Sequence, residues 1–295
     1  MTLASDQFFI VFIVTINTIV WVLFFIPQNR RKLPKIYLIA RSWWWMLALL
    51  FSSYLLSIYT PFWWLLDALF VVIGLRGGYE IVRLLRHDSK IKFIAKLKRQ
   101  QDKEAQESNA GITVIPVTNA AIPTKRFRSI SLLDIGFLIV FIGLIASLIL
   151  LSRLTIIREQ PGVLLFVLFA SQFNDIAQYL CGRWMGNRWF KRKLAPIISP
   201  NKTIEGALLG SLLSASLATV LGLWLTPFSA LVCFGIAYFL AVSGIAGDLF
   251  ESAFKRRHGI KDTGTMLAGH GGILDRVDSL LLGVPVFTVV YWLLG

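Results

Sequence analysis

Apolar residues in this chain run in long stretches, not in the one-faced or alternating patterns of a soluble fold. Phe8 to Ile26 contains no charged residue, and neither does Ile135 to Leu151. Crossing a bilayer as a helix takes about 20 such residues. Runs near that length fall at 8–26, 42–59, 63–82, 130–152, 161–181, 205–225, 230–253 and 280–294, the second and last being short for a full crossing. In lipid every backbone polar group must be satisfied within its own segment, so these runs predict helices. The expected fold is all-α, a polytopic transmembrane helix bundle of about eight spans. It divides into N-terminal transmembrane helices (1–85), a basic cytosolic linker (86–129) and a C-terminal transmembrane region (130–295).

Composition agrees: 56% of residues are hydrophobic and the mean hydropathy is +0.68, above the roughly 45–50% apolar content of soluble domains. The net charge of +14 would suggest nucleic acid in a soluble protein. Here its distribution matters more. If the N-terminus starts outside, the inner loops are 27–41, 83–129, 182–204 and 254–279, and they hold 27 of the 30 lysines and arginines. That asymmetry is a positive-inside signal. It predicts both termini outside, attraction to anionic membrane lipids and no nucleic-acid partner. Within the linker, Ile91, Ile94, Ala95 and Lys98 are spaced for a short amphipathic helix on the inner leaflet, with a plain solvated linker as the alternative. Trp43, Trp44, Trp45, Trp63 and Trp64 read as an interfacial aromatic belt. The two cysteines, Cys181 and Cys233, lie near opposite ends of their spans and offer no disulfide framework. The first apolar run lacks a basic leader and a cleavage site, and is expected to be a retained span.

Three polar segments share the inner face under this topology. NDIAQYLCGRWMG places Asp175 inside the fifth span and Arg183 just past it. ISPNKTIEG (198–206) offers Ser199 and Asn201 as caps for a helix beginning near Thr203, with Lys202 and Glu205 in its first turn, a helix end suited to an anion. The third runs from Gly247 to Asp278. In it Asp248, Glu251 and Ser252 share one helix face, as do Asp275 and Asp278. Between them stand Lys255, Arg256, Arg257, Lys261, Asp262 and the run Gly269-His270-Gly271-Gly272. Carboxylates near a bilayer are costly and tend to be functional. Oxygen clusters of this kind suit magnesium, which keeps substrate phosphates in its shell, and the neighbouring cations suit phosphate oxygens. There is no GxxxxGK[ST] phosphate loop and no zinc ligand set around His270.

These residues resemble the signature of the phosphatidate cytidylyltransferases, also called CDP-diacylglycerol synthases. The match comprises Ser252, Lys255-Arg256, Lys261-Asp262, His270-Gly271-Gly272, Asp275-Arg276 and Asp278, with every spacing kept. SPNKTIEG (199–206) is similar to the family's SPxKTxEG element, and DIAQYLCGRWMG (175–186) to its DxxAYxxGRxxG element. Ala268 stands where the family usually has proline, and Gln178 where a small residue is common. The resemblance covers roughly 170–280 and makes 130–295 the catalytic region. It implies transfer of a cytidylyl group from CTP to phosphatidate or a related lipid phosphate, at a cytosol-facing site in a bacterial cytoplasmic membrane. Asp248, Asp275 and Asp278 are the expected metal ligands, for Mg2+ alone or together with a second cation, monovalent or divalent. Lys202, Lys255, Arg256, Lys261, Asp262 and Arg276 are the expected catalytic residues. Asp175, Arg183, Ser199, Asn201, Thr203, Glu205, Ser252, His270, Gly271 and Gly272 are expected to line the substrate. The resemblance also implies a homodimer, of which no motif here speaks. The rival readings are a CTP-dependent enzyme acting on another lipid, such as an isoprenoid or ether-lipid cytidylyltransferase or a polyprenol kinase, and a transporter.

Overall fold

The computed structural model describes residues 2–23, 34–86, 131–190, 192–264 and 271–294. The linker from residue 87 onward, and His270, lie outside them. In chain order the elements are α1 (Thr2–Leu23), α2 (Pro34–Tyr59), α3 (65–86), α4 (Leu132–Ile157), α5 (Gly162–Met185), β1 (Lys193–Ala195), β2 (Ser199–Thr203), α6 (Ile204–Leu225), α7 (Ala230–Arg257), α8 (Leu274–Val277), a 3-10 turn (Asp278–Leu280) and α9 (Gly283–Leu293). Each expected apolar run holds a helix. Among the described residues, α4, α5, α6 and α7 are long and apolar enough to cross a membrane. A fifth crossing is available if the segments Leu274–Leu280 and Gly283–Leu293, bent by 45°, count as one. That last crossing was expected as a single run over 280–294. It begins earlier and breaks, because Asp278 turns its carboxylate onto the Ser279 N–H at 2.8 Å, a local bond that competes with the helical ladder.

α5 is the central helix. Every residue from Gly162 to Ser171 is buried, as expected of a helix apolar all round. α6 packs most extensively against it, through small residues at four-residue intervals: Gly206, Gly210, Ser214, Ala218 and Gly222, all buried. A methyl on Gly210 would stand 2.6 Å from Gln178 Cα, and one on Gly206 2.9 Å from Gly182 Cα. Small residues that let backbones approach this closely are how helices associate in lipid, where apolar burial supplies no drive. The outward faces are apolar as well, with Ile139 62% and Val220 61% exposed.

Capping fixes where the helices end. Ser131 and Asp134 form a reciprocal capping box at the start of α4, which satisfies two otherwise free N–H groups. α7 ends in the paired bonds Ile260 N to Lys255 O and Gly259 N to Arg256 O, both 3.1 Å, with Gly259 at φ +71°; this is a Schellman termination. The two ends meet. His258 Nε2 lies 3.1 Å from Asp134 Oδ1, and Phe254 stacks on Phe137 at 4.2 Å. At the opposite end of the bundle, Asp67 of α3 accepts from Ser152 at 2.7 Å and pairs with Arg153, whose guanidinium lies 3.9 Å over Trp63. Cys181 and Cys233 are buried free thiols.

Candidate functional site

The site forms where several helix ends meet: the C-terminal half of α5, the β2–α6 junction, the last turns of α7, and the break between α8 and α9. The β1–β2 hairpin corrects the sequence reading locally. Ser199 to Thr203 is extended, pairing Ser199 with Ala195 and Thr203 with Lys193, so Ser199 and Asn201 do not cap α6. Thr203 does, accepting from Gly206 N at 3.0 Å. Lys202 therefore precedes the helix, and its extended backbone lets the ammonium reach Asp248, with which it forms an ion pair. Glu205 is in the first turn as expected. It is fully buried and accepts from Trp189 N at 3.0 Å and Phe190 N at 2.8 Å, which ties the end of the α5–β1 loop to α6.

Asp248 and Glu251 lie on one face of α7, and Asp278 faces them from the 3-10 turn. These three carboxylates offer oxygens that all lie within 4.8 Å of one another. Ser252 donates to Asp248 at 3.2 Å. Glu251 is 0% exposed. One of its oxygens pairs with Lys255 at 2.5 Å, and the other, Oε1, has no hydrogen-bond partner. A buried carboxylate oxygen left unpaired costs several kcal/mol in order of magnitude. This donor set is all oxygen, crowded with negative charge and short of one partner, and it fits a hard divalent cation.

Asp275, expected as a ligand beside Asp248, is engaged elsewhere. Its Oδ1 takes Lys255 at 2.8 Å. Its Oδ2 accepts from Thr263 N at 2.9 Å, Thr263 Oγ1 at 2.8 Å and Gly272 N at 2.8 Å. Lys255 thus bridges Asp275 to Glu251. Arg276 stands in the field of Asp278, Asp275, Asp175 and Glu251. Five acidic side chains (Asp175, Asp248, Glu251, Asp275, Asp278) gather around three basic ones (Lys202, Lys255, Arg276).

A cavity of about 400 Å³ opens beside this group, lined by Asp175, Tyr179, Arg183, Asn201, Lys202 and Asp248, with Gln178, Thr203 and the small residues of α5 and α6 as its floor. Its size suits a small-molecule ligand. Arg183 is exposed at its rim, 3.3 Å from the Tyr179 hydroxyl. Other expected residues lie away from it. Arg256 donates to the carbonyls of Ile198 at 3.2 Å and Ile260 at 3.1 Å. Lys261 and Asp262 are exposed. Gly271 adopts φ +81°, and Gly272 packs where any side chain would overlap Thr263 and Glu80. Sequence reasoning placed Glu251 on the right helix face without assigning it a role, and it overlooked Thr263. It gave no role to Glu80, one of the few acids within the apolar runs before residue 130. That scarcity, an acid inside a lipid-solvated span, was the available signal.

A model of the cytidylyltransferase family matches residues 2–294. The chain is 38% identical over 167 residues to the uncharacterized protein YnbB of Escherichia coli (strain K12), covering 56% of this chain and 54% of that protein. It is 39% identical over 134 residues to the phosphatidate cytidylyltransferase of Staphylococcus aureus (strain COL), covering 45% of this chain and 50% of that protein. It is 41% identical over 133 residues to the phosphatidate cytidylyltransferase of Staphylococcus saprophyticus, with 45% and 50% covered. The chain thus spans about half the length of the curated relatives it matches.

Proposed function

The chain belongs to the cytidylyltransferase family, and we propose that it transfers the cytidylyl group of CTP to phosphatidate, forming CDP-diacylglycerol and pyrophosphate. One observation carries this reading: Asp248 belongs both to the three-carboxylate group and to the wall of the cavity. A cation held by Asp248, Glu251 and Asp278 would therefore border the space where phosphates bind. A bound Mg2+ would supply charge neutralisation for the reacting phosphates. An oxygen of the lipid phosphate forms the new bond to the α-phosphorus, the bond from that phosphorus to the β-bridging oxygen breaks, and pyrophosphate leaves. The nucleophile is already ionised near neutrality, so no general base is needed. The protein's own contribution is positioning and fixed positive charge. Lys202 and Arg183, at the cavity, are placed to hold phosphate oxygens; Arg276 and Lys255 balance the acids behind it. Asn201 and Thr203 shape the wall. The positive-inside distribution supports eight crossings with the site facing the cytosol of a bacterial cytoplasmic membrane, where CTP is found.

A second reading, the same chemistry on a different lipid phosphate, is favoured by Gln178, which lines the cavity at a position where the family commonly has a small residue. The test of both is incubation of the purified protein with mixed lipid extract and CTP labelled at the α-phosphorus. Label in phosphatidate-derived lipid supports the first reading, and label in another lipid the second. Label recovered as CDP would mean kinase chemistry and sink both.

A further inference from the structure

Glu80 belongs to α3, yet it bonds to residues 193 and 194 positions further along the chain. Its side chain is 1% exposed. Oε1 accepts from Ile273 N at 3.1 Å; Oε2 accepts from Leu274 N at 3.2 Å and from Thr263 Oγ1 at 3.1 Å. The two N–H groups open the short helix α8 and have no partner within it. Thr263 Oγ1 also lies 2.8 Å from Asp275 Oδ2. A hydroxyl carries one proton and serves one acceptor at a time, so Glu80 and Asp275 face each other across a single shared donor. Gly272 leaves room for this: a side chain there would overlap both Glu80 and Thr263. From this geometry we infer that Glu80 is a positioning residue of the site, a buried carboxylate of the N-terminal region that fixes the turn 271–275. Through that turn it sets Asp275, hence Lys255 against Glu251, and hence the approach of Asp278 to Asp248. The N-terminal helices are then part of the site's scaffold as well as of the membrane bundle. The inference rests on the cytidylyltransferase reading for its catalytic consequence, but the placement of the turn does not.

The test compares Glu80→Gln and Thr263→Val with Asp67→Asn, a change on the same helix at the far end of the bundle, in the full chain in detergent or nanodiscs. Glutamine keeps the size of Glu80 but must turn an amide N–H toward one of its donors. The first readout is hydrogen exchange of the segment 271–280 without divalent cation. Glu80→Gln should raise exchange there at least about tenfold, the loss expected when bonds to a buried charged acceptor are disrupted. The second is the Mg2+ concentration giving half-maximal thermal stabilisation, which should rise by about tenfold. The third is turnover, where kcat should fall while KM for CTP stays within about threefold. Thr263→Ser, which keeps the hydroxyl, should restore all three relative to Thr263→Val. Asp67→Asn should lower thermal stability and move neither exchange at 271–280 nor the Mg2+ requirement. Unchanged exchange and Mg2+ response in Glu80→Gln, or changes matched by Asp67→Asn, would overturn the inference. If exchange and Mg2+ response shift as expected but the wild type makes no cytidylylated lipid, the positioning role stands and the reaction assignment falls.

Discussion

Glu251→Gln separates a cation site from a set of structural ion pairs. In the metal-free protein the substitution removes one pairing partner from Lys255, which keeps Asp275 at 2.8 Å. It also relieves repulsion among three carboxylates whose oxygens lie within 4.8 Å. These effects oppose each other, so the metal-free stability should change by no more than about 1 kcal/mol. The loaded protein should behave differently. A unit charge and a divalent ion about 4 Å apart, with an effective dielectric of about 20, interact by about 8 kcal/mol. Even half of that exceeds a hundredfold in affinity. If wild type is stabilised by about 2.7 kcal/mol at Mg2+ one hundred times its dissociation constant, a hundredfold weaker variant gains only about 0.4 kcal/mol at the same concentration. Thermal unfolding followed by tryptophan fluorescence, with and without Mg2+, reads this directly. The Mg2+-induced rise in midpoint should be several degrees in wild type and close to zero in Glu251→Gln, with turnover falling in parallel. A variant that keeps the full Mg2+ shift and wild-type turnover would refute the assignment of Glu251.

Other expectations follow from the same contacts. Asp275→Asn turns an amide donor toward either Lys255 or the donors of Thr263 and Gly272. It should cost about 3 kcal/mol of stability with or without Mg2+, which a melting curve compares directly with Glu251→Gln. Arg256→Lys loses the fork that joins the Ile198 and Ile260 carbonyls. It should cost about 1 kcal/mol while leaving KM for CTP within about threefold; a much larger KM effect would return Arg256 to the phosphates. Gly210→Val inserts a branched side chain where a single methyl already falls 2.6 Å from Gln178 Cα. It should prevent α5–α6 packing and reduce the yield of monodisperse protein, whereas Gly143→Val, with no atom within 4 Å, should not.

The helices were legible because lipid imposes a simple rule: a run with no charge and helical length must be a helix. The site was legible in part for the same reason, since carboxylates at span ends are conspicuous against an apolar background. What local pattern could not show were choices made by tertiary contacts. Asp248, Glu251, Asp275 and Asp278 are all acids at helical spacing, and nothing in the spacing says which oxygens face each other and which face Lys255 or Thr263. The extended Ser199–Thr203 strand was hidden because its register depends on β1, which ends at Ala195, and not on its own periodicity. Glu80 was out of reach of any local motif: its three donors lie 183 to 194 residues away.

The central claim is cytidylyl transfer to a lipid phosphate at the Asp248–Glu251–Asp278 group. The most direct measurement supplies purified protein with Mg2+, CTP and defined phosphatidate, then identifies the lipid by mass and quantifies pyrophosphate. CDP-diacylglycerol and pyrophosphate should form in equal amounts, and Asp248→Asn should abolish both in protein that remains folded. Phosphatidate recovered unchanged from folded wild-type preparations, or product formation undiminished in Asp248→Asn, would contradict it.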